Sequence, residues 1–526
     1  MFNPRHFDFN VTGTQTVPTT TAMDNPESSI TPMPTDTLVD SVLILLALNV
    51  IQRLVGFVRA MLFCRWLDAE QLGQWDMAFN FLMLAAPLAV LAIPGVFGRY
   101  TEHYRHRGQL HAFIERMMFA CAGLGFAAFA IVLLARRWFS SLIFGSEDQT
   151  SLVVAIAGSL LAIIAYSFLV ELFIGLRNIR LVSSLQLLNS VAFAVLGIVL
   201  LFGWRCTAES VVISYGGSCV LAAIWAGFAL RRVWRNAPPT PEHAEHVIVW
   251  GRIAPYAAWA LLGSVLTNLF GMIDRYMIVH FSHTSAADAL DIVGNYHASR
   301  LMPLLLISIA VMLGGIITPH LSHDWEANRR ELVARRLRLF LKTFGFLLFA
   351  AAVAVLLVAP LVFNVALRGK FSKGYEVLPW TLAYCNWFGL IVIAQNYLFC
   401  AEKTKLSSIS LAAGLLLNVA MNLLLLPRYG LTGAVLSTTA STVLSLALIC
   451  RFNRRLGFRL DGGARATLLL PAFLCFGPWV AAAALIAFAL LAFFSDRLFS
   501  ADEKRQLAEG VGEYRKRFGL GSTSHP

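Results

Sequence analysis

Apolar stretches long enough to cross the hydrocarbon of a bilayer recur from residue 38 to residue 494, with no polar block of domain size between them. That pattern defines a polytopic membrane protein. Backbone groups in lipid must find partners within their own segment, so every span is expected to be a helix. We place spans at 38–63, 77–98, 113–135, 152–174, 181–203, 209–230, 253–279, 292–318, 340–363, 377–400, 406–426, 430–450 and 467–494. The 14% of charged residues compares with about 25% in soluble proteins, which excludes a soluble domain. The fold class is all-α.

Lys and Arg exceed Asp and Glu by 12, a balance that in a soluble protein would suggest nucleic acid. Here retention of basic residues in cytoplasmic loops accounts for it, and no nucleic-acid partner is expected. With the amino terminus cytoplasmic, the cytoplasmic loops around the first twelve spans carry more than twice the Lys and Arg of the outer loops. The span at 467–494 strains this orientation, because it would place the basic tail outside. Either the tail is external, or this segment, interrupted by Pro471 and Pro478, is re-entrant or interfacial. Residues 1–37 are polar and lack the basic start and apolar core of a cleavable signal. The eight cysteines form no Cys-x-x-Cys pair and read as small core residues.

The chain also reads as a duplication. Asn49, Gln52, Arg53, Gly56 and Arg59 in the first span share an arc of about 120°, and Ser264, Thr267, Asn268, Gly271 and Asp274 repeat that spacing 215 positions later. Gly73-Gln74-Trp75 then matches Gly294-Asn295-Tyr296 at an offset of 221, and Pro94 and Arg180-Leu181 match Pro319 and Lys405-Leu406 at 225. An offset that grows only across loops fits two parallel six-helix halves with a site between them near the midplane. The division is therefore a polar terminus at 1–37, bundles at 38–230 and 253–450, a cytoplasmic linker at 231–252, and a basic loop, extra apolar segment and charged tail at 451–526.

Charged side chains inside spans mark the candidate site. A central Arg or Asp facing hydrocarbon costs about 2.5–3.5 kcal/mol, so Arg53, Arg59, Asp274, Arg275 and Arg300 should face a wet cavity or each other. Tyr296, His297, Arg300 and Pro303 share one face of the eighth span. Guanidinium forks suit phosphate oxygens, so arginines from both halves converging on an anion is the functional reading. In the competing one Arg59 snorkels to an interface, and Arg275 pairs with Asp274 or a neighbouring helix to hold the halves together. Arg99 is a substrate gate or a cytoplasmic anchor. Glu171 is a candidate for ion coupling, although a carboxylate so near an interface is more often solvated. Asn80, Asn189, Asn386, Gln395, Asn396, Asn418 and Asn422 are cavity donors or interhelical hydrogen bonds. Four His-x-x-His pairs lie at interfaces without a third ligand, and no metal site or cofactor is expected.

Three stretches, residues 52–79, 367–384 and 415–441, resemble the bacterial polysaccharide-transport flippases of the multidrug/oligosaccharidyl-lipid/polysaccharide exporter superfamily. Arg53 and Arg59, six apart, and Tyr-x-x-x-Arg-Leu-Met from Tyr296 to Met302 are similar to patterns of its lipid II flippases. The resemblance implies two pseudo-symmetric six-helix bundles and a cavity whose arginines, Arg53, Arg59 and Arg300, contact a diphosphate lipid. It also maps an acidic residue of the seventh helix onto Asp274. Lipid II flippases usually have fourteen helices, whereas one span is expected here after residue 450, which favours the oligosaccharide branch.

The expected function is a non-enzymatic flippase in the bacterial inner membrane, moving a polyprenyl-diphosphate-linked oligosaccharide. Arg53, Arg59, Arg300, Arg99 and Arg275 would bind substrate. Asp274, Gln52, Asn49, Asn268, Tyr296 and Glu171 would supply cavity polarity or coupling to H+ or Na+. Pathway glycosyltransferases and a polymerase are the expected protein partners. A cation-coupled drug antiporter of the same superfamily is the alternative. A polytopic glycosyltransferase, suggested by Asp68-Ala69-Glu70, is a more distant one.

Overall fold

A computed structural model describes residues 38–235 and 246–517. The polar terminus, the middle of the linker and the last residues lie outside the described part. Residues 47–526 cluster as one unit. The first half comprises α1 (Leu38–Trp66), α2 (Ala69–Ala89), a 3-10 turn at Ile93–Val96, α3 (Phe97–His106), α4 (Leu110–Leu134), α5 (Arg136–Phe144), α6 (Thr150–Gly175), α7 (Ile179–Gly203) and α8 (Ala208–Arg235). The second comprises α9 (His246–Phe281), α10 (Ala286–Glu326), α11 (Arg330–Leu361), a π turn at Val362–Ala366, α12 (Ser372–Ala394), α13 (Asn396–Cys400) and α14 (Thr404–Arg455). Beyond them lie α15 (Gly462–Leu469), a 3-10 run at Leu470–Phe476, α16 (Pro478–Phe494) and α17 (Ala501–Arg517). No strand occurs among the described residues. Eight helices among them are long and apolar enough to cross a membrane, and a bent pair, Ala69–Ala89 with Ile93–Arg105 at 62°, makes a ninth.

Packing repeats between the halves: α4 lies on α6 as α11 lies on α12, and α6 on α8 as α12 on α14. At about 1.5 Å per residue a helix as long as α14 is far too long for one crossing. It folds back at Gly430, whose φ of 53° and ψ of −131° leave the helical region. Ser445 Oγ donates to the Ser410 carbonyl at 3.2 Å and Asn418 Nδ2 to Thr438 Oγ1 at 3.4 Å across the two antiparallel arms.

The second span begins earlier than its hydropathy suggests. Asp68 caps α2 by accepting from Gln71 N at 2.9 Å, and Glu70 accepts from Gln74 Nε2 at 3.2 Å. Both acids of the transferase-like triplet therefore serve the helix start. The span then breaks at Leu91 and Ala92, both left-handed at φ 51° and 52°, whereas its counterpart α10 runs unbroken through Pro303 and Pro319.

The halves meet where α2 crosses α10. A Cβ on Gly73 would overlap the Leu290 carbonyl, and a Cβ on Gly294 would overlap the Ala69 carbonyl. Gly73 and Gly294 are the pair matched at the offset of 221, and so are Ala69 and Leu290. Each half thus presents the same two positions to the other, as a two-fold axis requires. Small residues let the backbones approach this closely.

The segment expected as one interrupted span at 467–494 is instead a hairpin. Its arms, α15 with the 3-10 run and α16, each reach roughly 26 Å, short of the ~30 Å hydrocarbon. They turn at Gly477, with φ 99°. The return brings Leu498 against Gly463, so entry and exit lie on one side. Lys342 of α11, 1% exposed, holds both ends by pairing with Asp461 and with Glu503 Oε2, the latter at 2.9 Å. Trp387 Nε1 donates to the Leu468 carbonyl at 2.9 Å, and Phe346 stacks on Phe488 at 5.4 Å. A single crossing that would carry the tail to the opposite side from residue 461 is therefore not what the structure shows.

Two outcomes follow from these contacts. Gly73→Ala should destabilise the protein by about 1–3 kcal/mol, read as a lowered thermal midpoint in detergent, while Gly123→Ala, which meets open space, should not. Lys342→Met should loosen the hairpin and expose residues 495–500 to limited proteolysis, and an unchanged cleavage pattern would refute the clasp.

Candidate substrate cavity

A cavity of about 410 Å³ lies between α1, α2, α7 and α8 of the first half and α10 of the second. Gln52, Arg53 and Arg59 of α1 line it, and His297, Leu301 and Ser308 of α10 face them. Arg59 rests its guanidinium 3.9 Å from the centre of the Phe193 ring, and its Nη1 donates to the Ser190 carbonyl at 3.4 Å. Arg53 carries its charge inward with a buried Nε that has no hydrogen-bond partner. Arg300 shares a helix face with His297, Leu301 and Leu304, and its buried Nε is likewise unpartnered. Its guanidinium stands 5.4 Å from the Tyr296 ring.

Arg275 has a different place. It is 4% exposed and forms an ion pair with Asp76, while its Nη1 donates to the Gly271 carbonyl at 2.6 Å. His297 Nδ1 hydrogen-bonds the other Asp76 oxygen at 2.8 Å. Asp76, on α2, therefore ties the first half to α9 and α10. This is the bridging arrangement, with Asp76 in place of Asp274 as the partner. Removing one member of such a buried pair costs about 3–5 kcal/mol, because the other charge is stranded. At the same end Lys370 Nζ donates to the Arg65 and Leu67 carbonyls at 3.1 and 3.2 Å, and Arg65 Nη1 to the Ala366 carbonyl at 3.1 Å. The halves are latched together at the end where α1 meets α2.

Asp274 is enclosed within the second half. Its Oδ1 accepts from Asn418 Nδ2 at 2.8 Å and Asn422 Nδ2 at 2.9 Å. Its Oδ2 accepts from Thr438 Oγ1 at 2.6 Å and the Tyr296 hydroxyl at 3.3 Å. Asn422 Oδ1 is buried without a partner. As placed, two amide N–H groups and two hydroxyls donate to this one carboxylate, and a cation there requires the amides to present their oxygens instead.

The remaining residues are dispersed. Asn268 folds back onto its own helix, donating to the Ser264 carbonyl at 2.9 Å. Asn49 lies one turn before Arg53 on α1. Arg99 is exposed on α3, 5.8 Å from the Tyr100 ring. Glu171 borders a separate hollow of about 230 Å³ with Pro87, Pro94 and Ser264. Sequence reasoning missed Asp76, Lys342 and the latch formed by Arg65 and Lys370. The repeat held a signal for the first, since Asp76 and His297 are themselves 221 apart.

Comparison with known proteins agrees with this architecture. The chain is 20% identical over 431 residues, covering 75% of it and 78% of the relative, to the lipid II flippase MurJ of Bacillus subtilis (strain 168). A solved structure of the lipid II flippase MurJ in an inward closed conformation superposes with a TM-score of 0.64 at 12% identity, covering 86% of this chain and 99% of that one. An inward-facing multidrug resistance MATE family transporter gives 0.62 at 12% identity, covering 79% and 97%. Fold and relatives together define a membrane transporter of the multidrug/oligosaccharidyl-lipid/polysaccharide exporter superfamily. Residues 38–324 match the polysaccharide biosynthesis protein family, and the chain belongs to it.

Proposed function

We propose that this protein flips a polyprenyl-diphosphate-linked oligosaccharide across the bacterial cytoplasmic membrane for cell-surface or exopolysaccharide assembly. The observation that carries the reading is the pair of buried, unpartnered guanidinium nitrogens on Arg53 and Arg300, one from each half. An unpaired charged donor in a low-dielectric site costs more than a bridged one, so both guanidinium groups suit an anionic partner. A diphosphate supplies oxygens to both arginines while the prenyl chain stays in lipid. The same positive charge disfavours the cationic drugs of an antiporter. Asp68 and Glu70, both engaged in starting α2, give no support to a transferase.

The amino terminus is cytoplasmic in this reading, and the hairpin then returns the basic tail to the cytoplasmic side, which removes the strain on the positive-inside balance. Substrate comes from cytoplasmic glycosyltransferases and passes to a polymerase on the outer face. Asp274, with the amides of Asn418 and Asn422 turned to present their oxygens, binds a monovalent cation, Na+ in preference to H+, whose gradient drives return of the empty carrier.

In proteoliposomes holding a fluorescent polyprenyl-diphosphate oligosaccharide, Arg53→Ala and Arg300→Ala should each slow flipping by roughly 10- to 100-fold, the worth of a charge-assisted hydrogen bond. The Lys variants should retain part of the rate. Wild-type flipping by the double Ala variant would refute the assignment. Replacing Na+ by K+ should slow the wild type and leave Asp274→Asn, already slow, unaltered. Equal rates of the wild type in both salts would remove the cation from the cycle.

A further inference from the structure

A second basic hollow lies well away from the central cavity, at the far end of the second half. Arg451, Arg454 and Arg455 at the close of α14, Arg459 in the connector and Arg465 on α15 surround about 690 Å³ together with Phe458. Arg459 also borders a neighbouring hollow of about 750 Å³ that contains Arg329, Arg330, Arg335 and Arg338 of the α11 start, with Glu331 as its one lining carboxylate. None of the five arginines of the first hollow pairs with a carboxylate among the described residues. Asp461 and Glu503 are engaged with Lys342, and Asp324 with Arg336.

Loop arginines that merely favour one side of a membrane do not need a walled chamber. The helices that bear these arginines also carry exposed apolar side chains beside them. On α14, Val443, Ala447 and Arg451 share one face at spacings of four, and Val443 is 41% exposed. On α15, Arg465 is followed four residues later by Leu469, 65% exposed. Cationic at one end and apolar along its length, the seam matches an amphiphile with an anionic head, and a soluble phosphate would leave the apolar track unused.

We propose that this hollow binds the phosphate headgroup of an anionic phospholipid of the adjacent leaflet, with its acyl chains along the seam between α14 and α15. The site is independent of the substrate assigned to the central cavity. The lipid braces the base of the hairpin, since Arg465 belongs to α15 and Arg451 to α14.

The test uses the full-length protein in mild detergent, with bound lipid counted by native mass spectrometry as phosphatidylglycerol, phosphatidylcholine or inorganic phosphate is added. Phosphatidylglycerol should bind and phosphatidylcholine should not. Each arginine beside a bound headgroup is worth roughly fivefold in affinity, so Arg451→Ala/Arg465→Ala should weaken binding by at least about tenfold. Arg136→Ala/Arg137→Ala on α5 should leave it unchanged. Arg455→Glu, which alters a single exposed residue, serves if the double variant misfolds, and should weaken binding likewise. Equal binding of both lipids, or unchanged affinity in both the double variant and Arg455→Glu, overturns the proposal. So does displacement of phosphatidylglycerol by millimolar inorganic phosphate, which would make the hollow a site for soluble phosphate.

Discussion

The crossing of α2 over α10 at Gly73 and Gly294 is the contact on which the arrangement of the two halves depends. Each glycine lies against the backbone carbonyl of the residue four positions before its counterpart, so neither tolerates a side chain. A duplicated chain brings like against like on its axis, and one turn further along that axis Asp76 meets its own counterpart, position 297. Two aspartates there would repel. A histidine at position 297, together with Arg275 reaching over from α9, makes the contact an attractive triad.

The repeat also separates two chemistries. Arg59 and Asp274 occupy equivalent positions in the repeat, yet Arg59 lines the cavity of the first half while Asp274 gathers the donors of α14 in the second. In the proposed cycle the α1 face of the repeat therefore serves the anion and the equivalent α9 face the cation, while Arg300 of α10 adds to the anion site from the second half. Tyr296 joins the two. Its hydroxyl donates to Asp274, and its ring lies 5.4 Å from the Arg300 guanidinium and 5.5 Å from that of Arg275.

Much of this was legible in the sequence because hydropathy and internal offset are strong signals over long helices. The spans, the parallel repeat and the shared faces of α1 and α10 come directly from spacing. Averaging over about 20 residues hides a tight turn inside an apolar run, which is why the hairpin at Gly477 reads as one span with two prolines. Asp76 escaped for a related reason: a lone carboxylate near a span end looks solvated, and only the register of the repeat places it against His297. Asn418 and Asn422 were visible as polar residues in lipid, but their meeting with Asp274 depends on how α14 packs on α9, and Thr438 reaches it only through the turn at Gly430. Lys342 pairs with acids more than a hundred positions away, a distance at which spacing carries no information.

The latch also sets an energetic requirement on alternating access. Opening at the end where α1 meets α2 separates Asp76 from Arg275 and His297, and stranding buried charges costs about 3–5 kcal/mol unless water or a ligand replaces the lost partner. Substrate bound by Arg53 and Arg300 cannot repay that cost from a distance. It does so only through something that touches both, and Tyr296 is placed to do this, with Arg275 of the latch, Arg300 of α10 and the Asp274 carboxylate all around it. An anion drawing Arg300 away, or a cation drawing Asp274, changes the surroundings of the residue beside which Arg275 is held. The contacts of Tyr296 with Arg275, Arg300 and Asp274, more than any continuous path of packed helices, are therefore where binding and opening are joined in the proposed cycle.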